Sequence, residues 1–333
     1  MKQALKKHQE AINTAINNAL NNDLEQAGTL GKEVNERLKS FATKGKGVRG
    51  GLVCATYQFY HETIPQNITD TAAGIELIHA GLLIHDDIMD EDHTRRGMAA
   101  SHEHYAQLHT QHPNPRKAGE SLAICEGDIA YFLGYTLLDH EVARKIIHDI
   151  ALVGVAQMHD IANEHQEPTV ADVMRCYEYK TARYTFSMPM WAGATLAGEK
   201  ETADKLYQAG IHAGILYQLR DDELGLYGNP DITGKPRASD LRQGKHTIHT
   251  ALLKEHTSTE DYEIARKKSL TQSPEDIDWV VNLITTSGAK KRAQELMDKH
   301  AQHAQDIINT TNLAQEHKQF LKEVIAYCRE RQK

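Results

Sequence analysis

The chain has 333 residues, which is enough to bury a large core, and length alone allows one or two domains. Its 46 acidic and 38 basic residues give a formal net charge of −8, which argues against nucleic acid as the main partner. The first ten residues lack the apolar core of a signal peptide, and no later run approaches the length of a membrane span. We therefore expect no transmembrane segment.

Prolines and turn residues indicate the fold class. Only eight prolines occur, and the long gaps between them are rich in Ala, Leu, Glu, Gln and Lys, which favour helices. Alternating strand patterns bounded by Asn-Gly or Asp-Gly turns are absent, so we predict an all-α protein. Without repeats or a Gly/Ser linker, residues 1–333 are expected to form one domain.

The expected elements follow the hydrophobic periodicity and the helix start and stop residues. Most are helices, and two basic, turn-rich loops interrupt them. Lys180 is expected to open a further helix, which Pro189 should kink. In chain order, the remaining elements are helices over 1–22 and 27–40, a flexible loop over 45–51, a helix from Leu52, helices over 118–138, 140–164 and 170–178 (with Thr169 as N-cap), a helix over 201–227, and a loop over 229–237.

The most informative stretch runs from Ile75 to Gly97. It begins as a helix that is apolar on nearly every side, which is typical of a buried helix, and ends in carboxylates. Asp86 and Asp90 lie one helical turn apart and therefore share a face, with Asp87 beside them. Two carboxylates at that spacing can bind one hard cation through oxygen ligands.

A second apolar helix carries a second acidic pair, Asp221 and Asp222, with Gln218 one turn earlier. One such pair alone is more often a solvated helix end than a set of ligands. Two pairs on apolar helices, in a chain that also offers basic loops, favour a binding site. The basic candidates beside these loops and helices are Lys46, Arg49, Arg95, Arg96, Lys180, Lys235 and Lys245.

Carboxylates and cations in one site make chemical sense for a polyanion that is bound partly through Mg²⁺. Carboxylates cannot bind phosphate directly, but a divalent metal bridges the two, and arginine and lysine add direct contacts. The sequence contains no Walker A motif and no Gly-rich dinucleotide turn, so nucleotide kinases and dehydrogenases fit poorly.

The ordered set of motifs resembles the trans-isoprenyl diphosphate synthases, also called the polyprenyl synthetase family, over about residues 40 to 250. A basic loop, an aspartate-rich helix end and an Arg-Arg-Gly turn come first, and a Lys-Thr-Ala segment, a second acidic motif and a Gly-Lys-x-Thr segment follow. The matching motifs are Gly45-Lys46-x-x-Arg49, Glu76 to His79, Asp86-Asp87-x-x-Asp90, Arg95-Arg96-Gly97, Gly127-Asp128, Gln157-x-x-Asp160, Lys180-Thr181-Ala182, Gln218-x-x-Asp221-Asp222, Gly234-Lys235-Pro236, Asp240 and Gly244-Lys245-x-Thr247.

The resemblance implies a bundle of long antiparallel helices around a central cavity, of the isoprenoid-synthase type, usually a homodimer. It implies a chain-elongating prenyltransferase that condenses isopentenyl diphosphate with dimethylallyl, geranyl or farnesyl diphosphate. The two acidic motifs would face each other at the cavity mouth and hold three Mg²⁺ ions, with Mn²⁺ able to replace them. Four widely spaced cysteines without a CxxC pair fit a cytoplasmic protein.

The residue roles follow from the same resemblance. Asp86, Asp90 and Asp221 would bind the metal ions, and Asp87, Asp222 and Lys180 would complete the catalytic set. The diphosphate of isopentenyl diphosphate would be bound by Lys46, Arg49, His79 and Arg96. The allylic diphosphate would be bound by Arg95, Lys180, Thr181, Gln218, Lys235 and Lys245.

Two departures from the family pattern bear on function. The second motif usually ends in a third Asp, where this chain has Gly225, which puts the affinity for a third ion in question. Product length is expected to depend on Gly81 and Leu82, just before Asp86, and no aromatic residue stands at position 81 to plug a tunnel. We therefore expect geranylgeranyl diphosphate, or longer chains, and we expect a Gly81→Phe variant to make shorter products.

Three alternatives remain. Gly225 would suit a non-catalytic subunit of a heteromeric synthase. Glu76-x-x-His79 has the spacing of a di-iron carboxylate site, although a second Glu-x-x-His is missing. A terpene cyclase would share the acidic motifs, but such enzymes typically lack the basic loop with Lys46 and Arg49.

Overall fold

The computed structural model describes residues 2–20, 22–163, 167–233, 237–271 and 273–332. These residues are mainly helical, with one short hairpin and one π-helical segment. The helices are α1 (Lys2–Lys6), α2 (Gln9–Ala19), α3 (Asn22–Gln26), α4 (Thr29–Thr43), α5 (Val48–Tyr57), α6 (Gln66–Met89), α7 (Ser101–Leu108), α8 (Pro115–Thr136), α9 (His140–Asn163), α10 (Val170–Cys176), α11 (Met188–Leu196), α12 (Lys200–Tyr227), α13 (Pro230–Thr233), α14 (Ser239–Arg242), α15 (Ile248–His256), α16 (Thr259–Ser269), α17 (Pro274–Thr286), α18 (Ala289–Asn309) and α19 (Gln315–Glu330). The hairpin pairs β1 (Thr94–Arg95) with β2 (Met98–Ala99), and the π-helical segment is Tyr177–Ser187.

The all-α prediction is confirmed. Internal contacts divide the chain into two compact units, each with its own buried side chains. The first unit contains Lys2–Ile147 and Ala192–Glu199, and the second contains His148–Trp191 and Lys200–Lys333. The expectation of a single domain stays a prediction. Among the described residues, no helix combines the length and apolar character that crossing a membrane requires.

The long central helices begin and end within three residues of their predicted bounds. The basic loop is shorter than expected, because α5 already begins at Val48 and includes Arg49. Gly47 adopts the left-handed conformation (φ 60°) that starts this helix. Gly50 allows α5 to pack closely against α6, because a Cβ at this position would lie 3.0 Å from the carbonyl oxygen of Ala72. The expectation of a flexible loop over 45–51 was therefore wrong beyond residue 47.

The region around Lys180 also differs from the prediction. Thr169 caps α10 as expected, in a reciprocal capping box with Asp172. The predicted break before Lys180 is absent, because α10 continues directly into the π-helical segment. Pro189 is the second residue of α11, which follows the π-helical segment without a break, so its missing N–H falls at the junction of the two. A π-helical stretch widens the helix locally and is often found at functional sites.

Helix α6 is buried along most of its length in the first unit and approaches α8 closely. Four glycines make this approach possible. A Cβ at Gly74 would lie 2.6 Å from the carbonyl oxygen of Gly134, and one at Gly81 would lie 2.8 Å from that of Gly127. The pairing of 74 with 134 and of 81 with 127 makes the two helices antiparallel.

This contact corrects the expectation for Gly81. The Cβ direction at position 81 points at α8, where ring atoms of Tyr131 lie 2.8 and 2.9 Å from the added atom. An aromatic side chain, contributed by α8, therefore does lie beside Gly81. A Gly81→Phe variant would collide with the α8 backbone, so a change in its products would not report on a tunnel floor. Leu82 is half-buried on the same helix.

We predict that Gly81→Ala destabilises the protein by about 1–3 kcal/mol, as expected for overpacking. In a helix with open space, the same substitution would stabilise by roughly 1 kcal/mol, because alanine has the higher helix propensity. The sign of the change, measured by urea unfolding, therefore tests the contact. A stabilised variant would show that α6 and α8 do not approach as closely as described.

A buried carboxyl lies on the other side of α8. Glu126 is fully buried, and its carboxyl lies beside the side chains of Ser101 and Tyr105. Burial raises the pKa of Glu126 to about 7, against the opposing effects of Ser101, of the charge of Arg37 and of Tyr105. Because the folded protein keeps this proton up to a higher pH than the unfolded chain does, Glu126 lowers stability as pH rises from about 4.5 to 7.

We predict that Glu126→Gln removes this component of the pH dependence. The variant should gain up to about 3 kcal/mol relative to the wild type between pH 4.5 and pH 8. Urea unfolding of both proteins across this range measures the difference. A constant difference between the two curves would mean that Glu126 titrates normally in the folded state.

Candidate active site

The acidic end of α6 separates its carboxylates by exposure. Asp87 has no exposed surface, and Arg95 Nε and Nη2 each lie 2.5 Å from its Oδ1. Burial raises the pKa of Asp87 to about 6, partly offset by the bonds from Arg95. Asp86 is half-buried and Asp90 is exposed, and the N–H of Asp90 donates to the carbonyl oxygen of Asp86 at 2.8 Å. The predicted one-turn spacing of Asp86 and Asp90 is thus present.

The hairpin after α6 places the two arginines. Its turn residues, Arg96 (φ 54°) and Gly97 (φ 73°), both have positive φ, as a tight two-residue hairpin requires. Arg95 contacts Asp92 as well as Asp87, with Nη2 2.5 Å from Asp92 Oδ2. Arg95 is therefore held by two carboxylates. The expected role of Arg95 in binding the allylic diphosphate stays a prediction.

Arg96 belongs to a cluster of cations in the first unit. Its Nη1 donates to the carbonyl oxygen of Phe41 at 2.6 Å, and a Cβ at Gly45 would lie 2.9 Å from its Nη2. The loop that carries Lys46 thus begins beside this guanidinium. Burial lowers the pKa of Arg96, and Arg49 and Arg95 lower it further while Glu76 raises it.

His79 on α6 faces the same cluster. Burial lowers the pKa of His79 well below its usual value, and the charges of Arg49, Arg96 and Arg95 add to this effect. His79 is therefore a neutral hydrogen-bonding group among cations. Glu76, one turn before it, is buried and accepts the N–H of Gly50 at 2.8 Å, which fixes the start of α5. The structure thus brings together Arg49, His79 and Arg96, and two guanidinium groups beside a neutral hydrogen-bonding side chain favour an anion.

The second acidic cluster lies on α12, in the second unit. Asp222 is 5% exposed and accepts hydrogen bonds from the Tyr177 hydroxyl and from Gln218 Nε2, the latter at 3.1 Å. The N–H of Ile248 donates to the same hydroxyl at 2.8 Å. Burial raises the pKa of Asp222 to about 7. Asp222 therefore positions its neighbours and is not placed to contact a metal.

The π-helical segment places two more of the predicted residues beside this cluster. Thr181 Oγ1 donates to Gln218 Oε1 at 3.0 Å, which links the segment to α12. Lys180 forms an ion pair with Asp160 of α9. A Cβ at Gly214 would lie 2.3 Å from the Cα of Ala182, so the segment packs tightly against α12. The second unit thus joins Lys180, Thr181, Gln218 and the acidic pair into one site.

Asp221 and Gly225 complete the exposed side of this cluster. The side chain of Asp221 is 53% exposed and forms an ion pair with Arg331, just beyond the end of α19. A Cβ at Gly225 would lie 2.5 Å from Asp240 Oδ2. The carboxylate of Asp240 therefore occupies the space that a side chain at position 225 would need. Although position 225 is a glycine, this side of the cluster still has a carboxylate, that of Asp240.

The two remaining predicted lysines are Lys235 and Lys245. Lys235 lies outside the described residues. The N–H of Lys245 donates to the carbonyl oxygen of Asp240 at 2.9 Å, directly after Gly244 (φ 70°). Lys245 also lines a cavity of about 290 Å³ together with Arg266 and Leu253.

Sequence reasoning missed three contributors to these clusters. Tyr177 lies three residues before Lys180, but nothing marks it as a partner of Asp222. Asp240 was recognised only as a motif residue, because its position beside Gly225 depends on how the chain returns after α13. Arg331 follows a run of charged residues that looks like a solvated helix end. Each of these contacts joins residues far apart in the sequence.

Comparison with known proteins connects this geometry to a family. A model of the polyprenyl synthetase family matches residues 32–285. The geranylfarnesyl diphosphate synthase of Aeropyrum pernix is 30% identical over 278 residues, which cover 79% of this chain and 82% of that protein. The geranylgeranyl diphosphate synthase of Saccharolobus solfataricus is 28% identical over 256 residues, which cover 71% and 68%.

A solved structure agrees with these matches. The crystal structure of geranylgeranyl pyrophosphate synthase from Corynebacterium glutamicum, complexed with isoprenyl diphosphate and magnesium, superposes with a TM-score of 0.85 at 28% identity. The match covers 98% of this chain and 99% of that one. The chain therefore belongs to the polyprenyl synthetase family of prenyltransferases and has its all-α isoprenoid-synthase fold.

Proposed function

We propose that this enzyme elongates isoprenoid chains by condensing isopentenyl diphosphate with an allylic diphosphate (dimethylallyl, geranyl or farnesyl) to give a trans-polyprenyl diphosphate. The observation that carries the proposal is the first unit's combination of an outward-facing carboxylate pair, Asp86 and Asp90, with the cationic cluster around His79. The first group suits a cation, and the second suits an anion. A diphosphate substrate needs both kinds of group.

The cationic cluster is assigned to isopentenyl diphosphate. Arg49 and Arg96 can each offer a planar pair of donors to phosphate oxygens, and Lys46 adds a point charge from the adjoining loop. His79, kept neutral by its surroundings, donates a hydrogen bond. These side chains fix the position of isopentenyl diphosphate, so that the condensation takes place between two bound substrates.

The carboxylate clusters fit Mg²⁺ by their chemistry. Among the described residues, no group of three or more His, Cys, Asp or Glu side chains is arranged to hold a metal ion. Mg²⁺ does not need such a group, since it usually takes one or two carboxylates and completes its shell with water and phosphate oxygens. Asp86, Asp90 and Asp221 would hold the ions, three in number by the family resemblance, with Mn²⁺ as a substitute.

The chain's own residues then prepare the reaction. When bound, Mg²⁺ supplies positive charge that stabilises the departing diphosphate. Cationic charge at the allylic diphosphate would come from Arg95, Lys180, Lys235 and Lys245. Asp222 fixes Gln218, which orients Thr181 beside the allylic carbon.

The bond changes follow from this arrangement. The allylic C–O bond breaks, and the double bond of isopentenyl diphosphate attacks the resulting carbocation. The released diphosphate takes the proton that the new chain loses. Apolar surroundings are needed because water would capture the cation.

Geranylgeranyl diphosphate, with twenty carbons, is the proposed product. The relatives support a range of lengths, since the named products include geranylfarnesyl as well as geranylgeranyl diphosphate. The absence of an aromatic residue at position 81 no longer supports a twenty-carbon product, because Tyr131 packs beside Gly81. The proposed length now depends on the relatives that are named for geranylgeranyl diphosphate.

We predict that the purified chain alone, with Mg²⁺, isopentenyl diphosphate and farnesyl diphosphate, makes geranylgeranyl diphosphate, and that a chelator stops it.

We predict that Asp86→Asn lowers the kcat of this condensation by a factor of about 10²–10³, the range for losing one group that stabilises the transition state electrostatically. Asp70→Asn is the matched control: it lies on the same helix, bonded to Gln66, and should keep wild-type activity.

Chromatography of the products decides between this proposal and a non-catalytic subunit. A well-folded wild-type chain that makes no product with any of the three allylic starters would favour the subunit. The sequence argument for that alternative was Gly225, and the position of Asp240 weakens it.

We also propose that the enzyme is a homodimer that acts in the cytoplasm. Within the second unit, helix α9 presents an apolar stripe to solvent, formed by Ala151, Val155 and Met158, with Met158 71% exposed. On α8, Phe132 is 70% exposed. A second copy of the chain is the partner that the family resemblance suggests for such surfaces. The four cysteines, all within described ranges, are unpaired, which supports a reducing compartment.

We predict that Met158→Glu weakens self-association, because it places a charge in the apolar stripe. Light scattering coupled to size-exclusion chromatography should give twice the chain mass for the wild type and a lower mass for the variant. Leu270→Glu, at an exposed apolar residue of another segment, is the control and should remain dimeric. Equal masses for all three proteins would place the interface elsewhere.

A further inference from the structure

The segment that follows α19 contacts the second acidic cluster. Arg331 follows α19 directly, and its side chain is only 4% exposed. Its Nη2 contacts Asp221 Oδ1, and its Nη1 donates to the Tyr217 hydroxyl at 3.1 Å. The guanidinium carbon lies 3.8 Å from the centre of the Tyr217 ring, within range of a cation–π interaction.

The backbone of Arg331 is fixed as well. Its carbonyl oxygen accepts a hydrogen bond from Arg220 Nε at 3.0 Å, and Arg220 in turn pairs with Glu223. Its N–H donates to the carbonyl oxygen of Tyr327 at 3.1 Å. About one turn of α12, from Tyr217 to Asp221, therefore holds one arginine by its ring contact, its backbone and its charge. A solvated arginine would make none of these contacts.

Asp221, whose carboxylate Arg331 contacts, is the residue proposed to bind a cation. Asp222, beside it, is buried and already hydrogen-bonded, so Asp221 carries the exposed carboxylate of this pair. A divalent cation at Asp221 would stand next to the guanidinium, and the two positive charges would repel each other. Arg331 and the cation cannot both use Asp221 Oδ1.

We propose that Arg331 is an autoinhibitory latch: its guanidinium neutralises Asp221 in the resting enzyme and is displaced when a cation and diphosphate arrive. The inference rests on the proposed role of Asp221 as a cation ligand. Arg331 lies beyond residues 32–285, which match the family model, so the latch belongs to the part of this chain outside that match.

Mn²⁺ binding tests the latch directly. Electron paramagnetic resonance titration with Mn²⁺ alone should show tighter binding to Arg331→Ala than to the wild type, by on the order of tenfold, a typical coupling between two competing ligands. Arg331→Lys, which keeps the charge but loses the planar contacts, should fall between them. Arg329→Ala is the matched control, since it removes the same charge two residues away, where Arg329 pairs with Asp298.

Each titration is repeated with Asp221→Asn to isolate the site. If Asp221→Asn weakens Mn²⁺ binding but Arg331→Ala binds like the wild type, the latch is overturned while the proposed function stands. If Asp221→Asn changes nothing in either background, Asp221 is not a cation site, and the latch and that part of the proposed function both fail.

Hydrogen exchange gives a second readout that does not depend on activity. Mg²⁺ with inorganic pyrophosphate should speed exchange in the C-terminal peptide that contains Arg331 in the wild type, because its release loosens the backbone bonds of that residue. The same peptide in Arg331→Ala should exchange fast from the start. Unchanged protection in the wild type after both probes are added would contradict the latch.

Discussion

In each acidic cluster one of two neighbouring aspartates is buried and the other faces solvent, and the proposed chemistry depends on this difference in exposure. Successive residues on a helix point about 100° apart, so when one side chain of a pair is buried the other turns outward. Asp87 is buried against Arg95, and Asp222 is buried against Tyr177 and Gln218. Asp86 and Asp221 are the members left with accessible carboxylates.

The buried members fix the geometry of the exposed ones. A carboxylate taken out of water is tolerated only when charges or donors satisfy it, and removing its partner is strongly destabilising. Arg95 serves this purpose on α6, and a hydroxyl and an amide serve it on α12. The partners differ between the units. Asp87 has an ion pair with Arg95 of the hairpin, whereas Asp222 has neutral hydrogen bonds from Tyr177 of the π-helical segment and from Gln218 of α12 itself. In each unit the reactive groups sit on rigid helices whose neighbours are tightly packed.

Much of this could be read from the sequence, because helical periodicity determines which residues share a face. It predicted the bounds of the central helices, the buried character of α6 and the pairing of Asp86 with Asp90. The order of the motifs led to the family. Resemblance also placed Arg49, His79 and Arg96 in one group, which the structure brings together. That the two acidic clusters act at one cavity stays a prediction.

What the sequence could not provide are contacts that depend on the path of the chain between elements. Gly81 looked like open space, but the direction of its missing Cβ is set by the crossing of α6 and α8. Gly225 looked like a lost ligand until the return of the chain placed Asp240 beside it. The π-helical segment has no reliable local signal, so the break expected before Lys180 was wrong. Arg331 reaches Asp221 across 110 residues of sequence.

The central proposal is that both acidic clusters stabilise the same departing diphosphate. Single-turnover rates of the wild type, Asp86→Asn, Asp221→Asn and the double variant test it most directly. If the two carboxylates act as one unit, each single variant loses most of the rate, and the double variant is little slower than the slower single variant. Losses that multiply, or a single variant with the wild-type rate, would contradict the account.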